Sequence, residues 1–300
     1  MKDRFLAIVN PEAGGGRSGK LAQAAIAKLR GAGPRVDVIA STAPGQATSL
    51  AREAYAQGYQ KFIAVGGDGT AHEIVNGLFP EAAQGPRVAL GFLPLGTGNS
   101  FLRDFGEGGA EQAAQALVEG RRRPCDLLRL THTGGALYSI NLLSIGFTAD
   151  VAALTNRRFK PLGELGYLLG VFIGLVRLRR RAFPVRLDDA PEFDRRRCLF
   201  LSFNNSKFTG GKMMIAPHAD TSDGLIELVR WGPIGRLGLL YNLPSLYDGT
   251  HLKHALASRH PSRRIVFDLD APVDAMVDGE VYTLHLRTLE IVPAALDVFV

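Results

Sequence analysis

Three glycine-rich segments of the sequence hold the residues best suited to bind a charged ligand. They cover residues 10–20, 66–70 and 94–100, and each follows a short apolar run and precedes a helical pattern. Glycines remove the Cβ atoms that would keep a phosphate away from the backbone, and the following helix offers unpaired N–H groups. The segments therefore predict a site for a phosphate-bearing ligand. A tight strand-to-helix turn is the alternative, although such a turn needs one or two glycines and 66–70 contains three.

Two further segments place carboxylates in short turns. Residues 278–280 are Asp-Gly-Glu, and because Asp-Gly is the commonest signal for a two-residue hairpin, the residues alone favour a plain turn there. Residues 220–225 offer two carboxylates and, in an extended turn, free carbonyl oxygens, which suit a hard cation. A turn closed by Gly224 explains the same residues without a metal.

The first 125 residues alternate between strand and helix patterns. Continuous apolar runs at 5–9, 62–65 and 88–93 are typical of strands covered on both faces, and helical patterns follow them. Right-handed crossovers turn such a series into a parallel sheet. Because parallel strands end at the same edge, we expect the three glycine-rich segments to converge on one ligand.

Residues 126–300 are expected to form a second domain, because short β-type runs alternate there with turns suited to antiparallel connections. The runs are 127–130, 136–145, 185–187, 198–203, 225–229, 265–269, 281–286 and 289–292. Helical insertions are predicted at 162–181 and near 236–246, and the last strand, 296–300, could pair in either domain. The predicted fold class is α/β plus all-β: a parallel α/β sheet domain followed by an antiparallel β-sandwich domain.

The composition is that of an ordinary globular protein. Its 300 residues, 46% hydrophobic and 21% charged, exceed the size of a single core, and the net charge of +6 permits anionic partners. Cys125 and Cys198 lack metal or disulfide-motif spacing, so we expect buried or semi-buried thiols in a reducing compartment. His251 and His254 lack a third ligand, which favours surface histidines over a zinc site. The amino-terminal apolar run is too short for a signal peptide, so we expect a cytoplasmic protein.

Five motifs together resemble the diacylglycerol kinase catalytic-domain family and, within it, the soluble bacterial lipid kinases. In chain order they are Asn10-Pro11 with its glycines, Gly-Gly-Asp-Gly-Thr at 66–70, Leu-Pro-Leu-Gly-Thr-Gly-Asn at 93–99, residues 216–225, and Asp-Gly-Glu at 278–280. Each motif alone is moderately specific, since Gly-Gly-Asp-Gly also occurs in the related NAD kinases and phosphofructokinases. All five, in family order over nearly the whole chain, imply an NAD kinase/diacylglycerol kinase-like fold.

The resemblance implies an ATP-dependent kinase with its nucleotide between the two domains. By family pattern, the residues that hold the nucleotide are Asn10, Gly66, Gly67, Asp68, Gly69, Thr70 and Thr97. A hydroxyl of the turn formed by Ser41 and Thr42 is expected to contribute as well. In related kinases the Glu of Asp-Gly-Glu accepts the proton of the lipid hydroxyl, a role that passes here to Glu280, with Asp278 as the second candidate.

Family members also carry a structural Mg²⁺ in the segment 220–225. The resemblance assigns it to Asp223 and to the backbone carbonyls of Asp220 and Leu225, and Asp278 is expected to help hold Mg²⁺ at the site. Asp126 is a further carboxylate that the resemblance places near the cleft between the two domains. Relatives commonly have Asp where this chain has Ser100, a departure that leaves the identity of the lipid open.

The expected reaction is transfer of the γ-phosphoryl group of ATP to a hydroxyl of a diacylglycerol-like lipid. The alternatives are a kinase of the same fold acting on a small metabolite such as NAD, and a catalytically inactive lipid-binding regulatory protein. The apolar run 165–176 is too short to span a bilayer, but basic residues flank it. The helix at 162–181 is therefore a candidate for transient membrane contact by a peripheral protein, or a helix packed on the sandwich. No nucleic-acid partner is expected, and a homodimer is left open.

Overall fold

The computed structural model describes residues 4–96, 99–106, 108–158, 173–176 and 178–300, with the backbone alone at 156–158. The chain divides into two units. Unit 1 comprises Met1–Leu127, Thr221–Asp223 and Val292–Val300, and unit 2 comprises Leu128–Asp220 and Gly224–Ile291. Unit 1 is thus built from the first part of the chain together with a short central segment and the carboxyl-terminal residues.

Unit 1 alternates strands and helices. In chain order they are β1 (Phe5–Val9), α1 (Arg17–Gly31), β2 (Val36–Ala40), α2 (Gln46–Ala56), β3 (Lys61–Gly66), α3 (Asp68–Leu78), β4 (Ala89–Pro94) and α4 (Gly109–Glu119), with short 3-10 helices at Glu81–Ala83 and Phe101–Phe105. The strands run parallel in the order β2–β1–β3–β4. All five residues of β1 are buried, as expected of a strand covered on both faces.

Unit 2 consists mainly of antiparallel strands. The elements that follow α4 are β5 (Arg122–His132), β6 (Gly135–Ser139), β7 (Leu142–Gly146), α5 (Phe147–Arg158), β8 (Arg181–Ala182), β9 (Val185–Leu187), β10 (Arg197–Cys198), β11 (Phe200–Asn204), β12 (Phe208–Thr209), β13 (Met213–Met214), β14 (Ile226–Trp231), α6 (Arg236–Asn242), α7 (Ser245–Asp248), a 3-10 helix (Thr250–Lys253), β15 (Ala257–Ser262), β16 (Arg264–Phe267), β17 (Val273–Val277), β18 (Glu280–Leu284) and β19 (Leu286–Phe299). The first residues of β5 and the last residues of β19 belong to unit 1.

The strands of unit 2 form two layers. One sheet has the order β15–β14–β11–β7–β17–β18, and the other contains β9, β16 and the start of β19, together with β5 and β6. Apolar side chains from both layers share one buried cluster, among them Leu143 and Phe203 from the first and Leu130, Ile265 and Leu289 from the second. Two sheets packed on a common apolar core make a β-sandwich, so the predicted fold class is confirmed.

The carboxyl-terminal strand completes the parallel sheet of unit 1. Asp297 and Val298 of β19 pair in parallel with β4, and the N–H of Asp297 donates to the carbonyl oxygen of Val88 at 3.0 Å. The buried carboxylate of Asp126 accepts the N–H of Ala294 at 2.6 Å. Asp126 therefore holds the carboxyl-terminal part of β19 in place. The sequence allowed residues 296–300 to pair in either domain, and in the structure they pair with β4 in unit 1.

Several elements differ from the sequence expectation. The run 136–145 is two strands, because the N–H groups of Ile140 and Asn141 donate to the Asp278 carboxylate instead of continuing the ladder. The polar strand β15 was not predicted, since an edge strand needs no apolar pattern. The insertion at 162–181 falls largely outside the described residues, but 173–176 is helical and β8 begins at Arg181. Among the helices that the structure describes, none has the length and apolar character to cross a membrane.

The expectation of a surface histidine at position 251 is wrong. His251 is 1% exposed, and its ring lies 5.7 Å from that of Trp231. Its two ring nitrogens face the backbone oxygens of Ser245 and Ile215 at 3.2 and 3.0 Å. Burial lowers the pKa of His251, so we assign the neutral ring a packing role beneath α7.

Both cysteines are buried, Cys125 in unit 1 and Cys198 in unit 2, as the sequence predicted. Burial raises the pKa of the Cys198 thiol to about 11, so at pH 8 its reactive thiolate is about 100-fold scarcer than in an exposed cysteine.

We expect iodoacetamide to modify neither thiol of the folded protein and both thiols after denaturation, as measured by mass spectrometry. Rapid labelling of the native protein would contradict these buried positions.

Candidate functional site

The turn between β3 and α3 joins a buried strand directly to the amino end of a helix. Gly67 precedes α3 in an extended conformation, and its carbonyl oxygen accepts the N–H of Thr70 at 3.0 Å. A Cβ at Gly66 would overlap the Thr70 hydroxyl oxygen, so any larger residue there would displace the Thr70 side chain. Thr70 is 2% exposed, whereas Gly67, Asp68 and Gly69 are half-buried. The backbone of 67–69 is therefore the part of this turn that faces solvent, and contact of the Thr70 hydroxyl with a phosphate stays a prediction.

The loop between β1 and α1 begins on the neighbouring strand. The N–H of Asn10 donates to the carbonyl oxygen of Val65 at 3.0 Å, and the side-chain oxygen of Asn10 accepts the N–H of Glu12 at 3.2 Å. The glycines at 14–16 have φ values of +66°, +67° and +83°, a left-handed conformation that residues with a Cβ avoid. The loop is thus bonded to β3 through Asn10, and its Gly14 lies close to Leu95 and Gly96 in the segment after β4.

The segment after β4 makes the closest contact with the other two. The N–H of Gly96 donates to the carbonyl oxygen of Gly66 at 2.9 Å, and a Cβ at Gly96 would lie only 2.8 Å from the nitrogen of Gly67. The guanidinium of Arg17, from the start of α1, donates to the carbonyl oxygens of Leu95 and Gly96 at 3.3 Å each. The three glycine-rich segments therefore meet at the carboxyl ends of β1, β3 and β4, as predicted, and a ligand shared by all three stays a prediction.

Asp68 also connects the β3–α3 turn to the segment after β4. Its carboxylate accepts the N–H of Ser100 at 2.8 Å, and Ser100 is 3% exposed. Nearby, the side chain of Asn99 donates to the carbonyl oxygen of Gly96 at 3.0 Å. Thr97, which the resemblance places at the nucleotide, lies outside the described residues. Asp68 thus positions the backbone of the site. Ser100, where the resemblance leads us to expect Asp, is buried.

The turn after β2 uses both of its hydroxyl groups internally. The Ser41 hydroxyl donates to the carbonyl oxygen of Val9 at 3.3 Å, and the Thr42 hydroxyl donates to the side-chain oxygen of Gln46 at 3.0 Å. Glu73 on α3, which the sequence analysis missed, accepts two backbone N–H groups at the start of α2 at 3.1 and 3.0 Å. No local motif could have identified Glu73, because its partners lie 28 and 26 residues away.

The Asp-Gly-Glu segment forms the hairpin turn between β17 and β18. Asp278 and Gly279 have φ values of +49° and +92°, and Val277 pairs with Glu280 across the turn. The Asp278 carboxylate is 4% exposed and accepts the Ser139 hydroxyl at 2.5 Å and three successive backbone N–H groups at 3.0 to 3.1 Å. Glu280, by contrast, is exposed.

This arrangement argues against Asp278 as a proton acceptor or Mg²⁺ ligand. Both carboxylate oxygens are occupied by hydrogen bonds inside unit 2. The bonds join the β17–β18 turn to the segment between β6 and β7, so Asp278 acts as a positioning residue for the hairpin. Of the two carboxylates, Glu280 is the one that a substrate can reach.

The predicted metal segment lies directly before β14. Asp220 and Asp223 are exposed, Gly224 has a φ of +72°, and the carbonyl oxygen of Thr221 accepts the N–H of Asp126 at 2.7 Å. Among the described residues, no group of three or more His, Cys, Asp or Glu side chains could hold a metal ion. A cation here would need backbone carbonyls, such as that of Leu225, beside a carboxylate, and Mg²⁺ accepts such an all-oxygen donor set.

Two cavities lie elsewhere in the two units. One of about 400 Å³ sits at the amino ends of β1 and β3, where Phe5, Lys61 and Arg122 contribute to its lining. Another of about 200 Å³ in unit 2 is lined largely by apolar side chains such as Phe183 and Leu201. Among the described residues, none of the predicted site residues lines either cavity. The candidate site is therefore formed by the loops at the carboxyl ends of the strands and lies outside both cavities.

We expect Gly96→Ala to lower the free energy of unfolding by about 1–3 kcal/mol, because the new Cβ meets backbone atoms of Gly67 that cannot rotate away. Gly31→Ala, at the end of α1, is the matched control. A Cβ there meets nothing within 4 Å, so this variant is expected to be neutral or up to about 1 kcal/mol more stable. Urea unfolding followed by circular dichroism measures both, and equal midpoints would contradict the close approach of the two segments.

Comparison with known proteins matches both halves of the chain to described families. Residues 4–130 match the diacylglycerol kinase catalytic domain, and residues 141–300 match the YegS C-terminal NAD kinase beta sandwich-like domain. The "Diacylglycerol kinase" of Mycobacterium tuberculosis (strain ATCC 25618 / H37Rv) is 30% identical over 98% of this chain and 94% of its own length. A "Probable lipid kinase YegS-like" of Pseudomonas aeruginosa (strain UCBPP-PA14) is 32% identical over 76% of this chain and 72% of its own.

Solved structures share the fold. Two chains from Bacillus anthracis str. Sterne that bear the name diacylglycerol kinase align with TM-scores of 0.79 and 0.73. The alignments cover 99% of this chain in both cases and 95% and 96% of the solved chains, at 22% and 19% sequence identity. At this identity the likeness establishes the architecture of both units and not the substrate.

Proposed function

Because the chain belongs to the diacylglycerol kinase catalytic-domain family of lipid kinases, we propose that it transfers the γ-phosphoryl group of ATP to a hydroxyl of a diacylglycerol-like lipid. The observation that carries the proposal is the meeting of three glycine-rich segments at the carboxyl ends of β1, β3 and β4. Ligands of parallel α/β sheets bind at that edge, and the glycines allow a triphosphate to approach the backbone closely.

In this proposal unit 1 binds the phosphates. The groups assigned to them are the backbone of 14–16 and of Gly66, Gly67, Asp68 and Gly69, with Asn10, Thr70 and Thr97. A hydroxyl of Ser41 or Thr42 is assigned as well, and it would exchange its internal hydrogen bond for one to phosphate. Phosphoryl transfer asks a protein mainly for positioning and charge neutralisation, which fixed backbone donors supply. Mg²⁺ bound with ATP would neutralise phosphate charge. A separate, structural Mg²⁺ is proposed at Asp223 and the carbonyls of Asp220 and Leu225.

Glu280 is the proposed proton acceptor. It is exposed, and it begins a strand whose preceding turn is fixed by the hydrogen bonds of Asp278. The carboxylate takes the hydroxyl proton of the lipid as that oxygen bonds to the γ-phosphorus. The bond from the γ-phosphorus to the bridging oxygen of ADP breaks in the same transfer.

A metabolite kinase is the second candidate function, and one observation favours it. The domain that matches residues 141–300 is described as NAD kinase-like, and NAD kinases phosphorylate a small molecule. The relatives over most of the chain, however, carry the names of lipid kinases, which favours the lipid.

Incubation of the purified protein with labelled ATP, Mg²⁺ and separate acceptors decides between these functions. We expect label in diacylglycerol or a related lipid presented in mixed micelles, and none in NAD. Label in NAD alone would support the metabolite kinase, and vesicle binding without transfer to any acceptor would indicate an inactive lipid-binding protein.

Glu280→Gln is expected to lower kcat by about 100-fold or more, because the amide cannot accept the proton of the attacking hydroxyl. The affinity for ATP and the thermal midpoint should not change, since the side chain is exposed. Glu53→Gln, an equally exposed substitution on α2, is the matched control and should retain full activity. Wild-type kcat in Glu280→Gln would show that another group takes the proton.

A further inference from the structure

Helices α6 and α7 leave a group of large apolar side chains uncovered in unit 2. Its members, which we call the α6–α7 patch, are Val176, Leu237, Leu240, Tyr241 and Tyr247. Leu237 and Tyr241 are each 86% exposed and lie four residues apart, so they share one face of α6. Five of the ten exposed large apolar side chains that the structure describes belong to this patch. Single exposed apolar residues are ordinary, but a grouping of this kind marks an interaction surface.

The inner side of the same helices is anchored in the core of unit 2. Leu239 and Leu246 are 2% and 7% exposed and belong to a buried apolar cluster that also contains Leu175. The Arg236 guanidinium donates to the carbonyl oxygens of Leu175 and Val176 at 3.1 and 2.8 Å, so the turn at 173–176 lies beside the start of α6. The patch is therefore the outer face of packed elements, held in place from beneath.

Basic side chains border the patch. Exposed members of this border are Arg179, Arg180, Arg236 and Lys253. Arg180 is fixed next to α6, because its Nε donates to the carbonyl oxygen of Ile234 at 3.2 Å. Hydrogen bonds from the side chain and the backbone of Thr250 lower the pKa of the exposed Asp248 carboxylate on α7, so it stays charged and offsets one of these four basic charges. An apolar face with a basic border complements a bilayer whose headgroups are anionic.

We propose that the α6–α7 patch docks the protein on a bilayer that contains anionic phospholipids. Leu237 and Tyr241 enter the headgroup region, where tyrosine is favoured because it is apolar along its ring and polar at its tip, and the arginines bind lipid phosphates. The proposal rests on the proposed function, since a kinase of membrane lipids must reach them at the bilayer. It centres the contact on α6 and α7, and the insertion at 162–181, which the sequence suggested, contributes Val176, Arg179 and Arg180 beside them.

A second copy of this chain is the competing occupant. In a twofold interface each patch would face its own equivalent, and this would bring the basic borders of two copies together. Like charges opposed in this way disfavour the dimer, whereas anionic headgroups neutralise the same border. The positive charge of the border therefore favours a bilayer over a second copy of the chain.

Vesicle binding of a double variant, Leu237→Ser with Tyr241→Ser, tests the proposal. Co-sedimentation with vesicles of phosphatidylglycerol and phosphatidylcholine is expected to show at least about 10-fold weaker binding than wild type, and phosphatidylcholine alone should bind both proteins weakly. Leu21→Ser, at an exposed apolar position of unit 1, is the matched control and should bind like wild type. The double variant and Leu21→Ser should both keep the wild-type thermal midpoint, because the substituted side chains are exposed.

Turnover of dioctanoylglycerol, a dispersed short-chain lipid, separates this proposal from the proposed function. The double variant should retain the wild-type kcat on it and lose turnover of long-chain diacylglycerol in vesicles. If wild type phosphorylates no lipid, the proposed function fails, and the vesicle measurement still decides the docking surface. Equal vesicle binding by wild type and double variant would overturn the docking proposal. It would also be overturned if neither protein bound vesicles and wild type were a dimer while the double variant was a monomer.

Discussion

The close contact of backbone between the ends of β3 and β4 is the constraint on which the candidate site depends. Gly96 donates to the carbonyl oxygen of Gly66, and the space beside Gly67 excludes even a methyl group. The amino end of α3 is thereby held against the segment after β4, and Arg17 ties the first loop to the same segment. A site that must stabilise phosphate charge with backbone donors needs this fixed geometry before the ligand arrives, because donors that must reorganise lose much of their effect.

The sequence alone predicted the three glycine-rich segments and their meeting at one edge of the sheet. The apolar runs and glycines identified the three segments, and the parallel order of strands predicted their convergence. The role of Asp278 could not be predicted, because its partners lie 136 to 139 residues earlier and an Asp-Gly pair is already explained by a hairpin. His251 was misjudged for a similar reason. Its residue type suggests a surface, but the ring is buried between backbone carbonyl oxygens of two other segments, one of which accepts the single N–H of the neutral ring.

The two units carry different parts of the proposed reaction. Unit 1 supplies the segments assigned to the triphosphate, and unit 2 supplies the groups assigned to the lipid, namely the Glu280 hairpin and the α6–α7 patch. The two carboxylates of the hairpin also differ in their surroundings, since Asp278 is buried and holds internal hydrogen bonds whereas Glu280 is exposed. The proposal therefore assigns the proton acceptor to Glu280 and a positioning role to Asp278.

The central claim is that a nucleoside triphosphate lies on the three glycine-rich segments, and hydrogen–deuterium exchange with and without ATP and Mg²⁺ tests it most directly. The account predicts slower exchange of the amides at 10–17, 66–70 and 95–100 when ATP is bound. Amides at the amino ends of β1 and β3, beside the cavity that Lys61 and Arg122 line, should not change. Protection at that cavity instead, or no protection of the three segments at saturating ATP, would contradict the account.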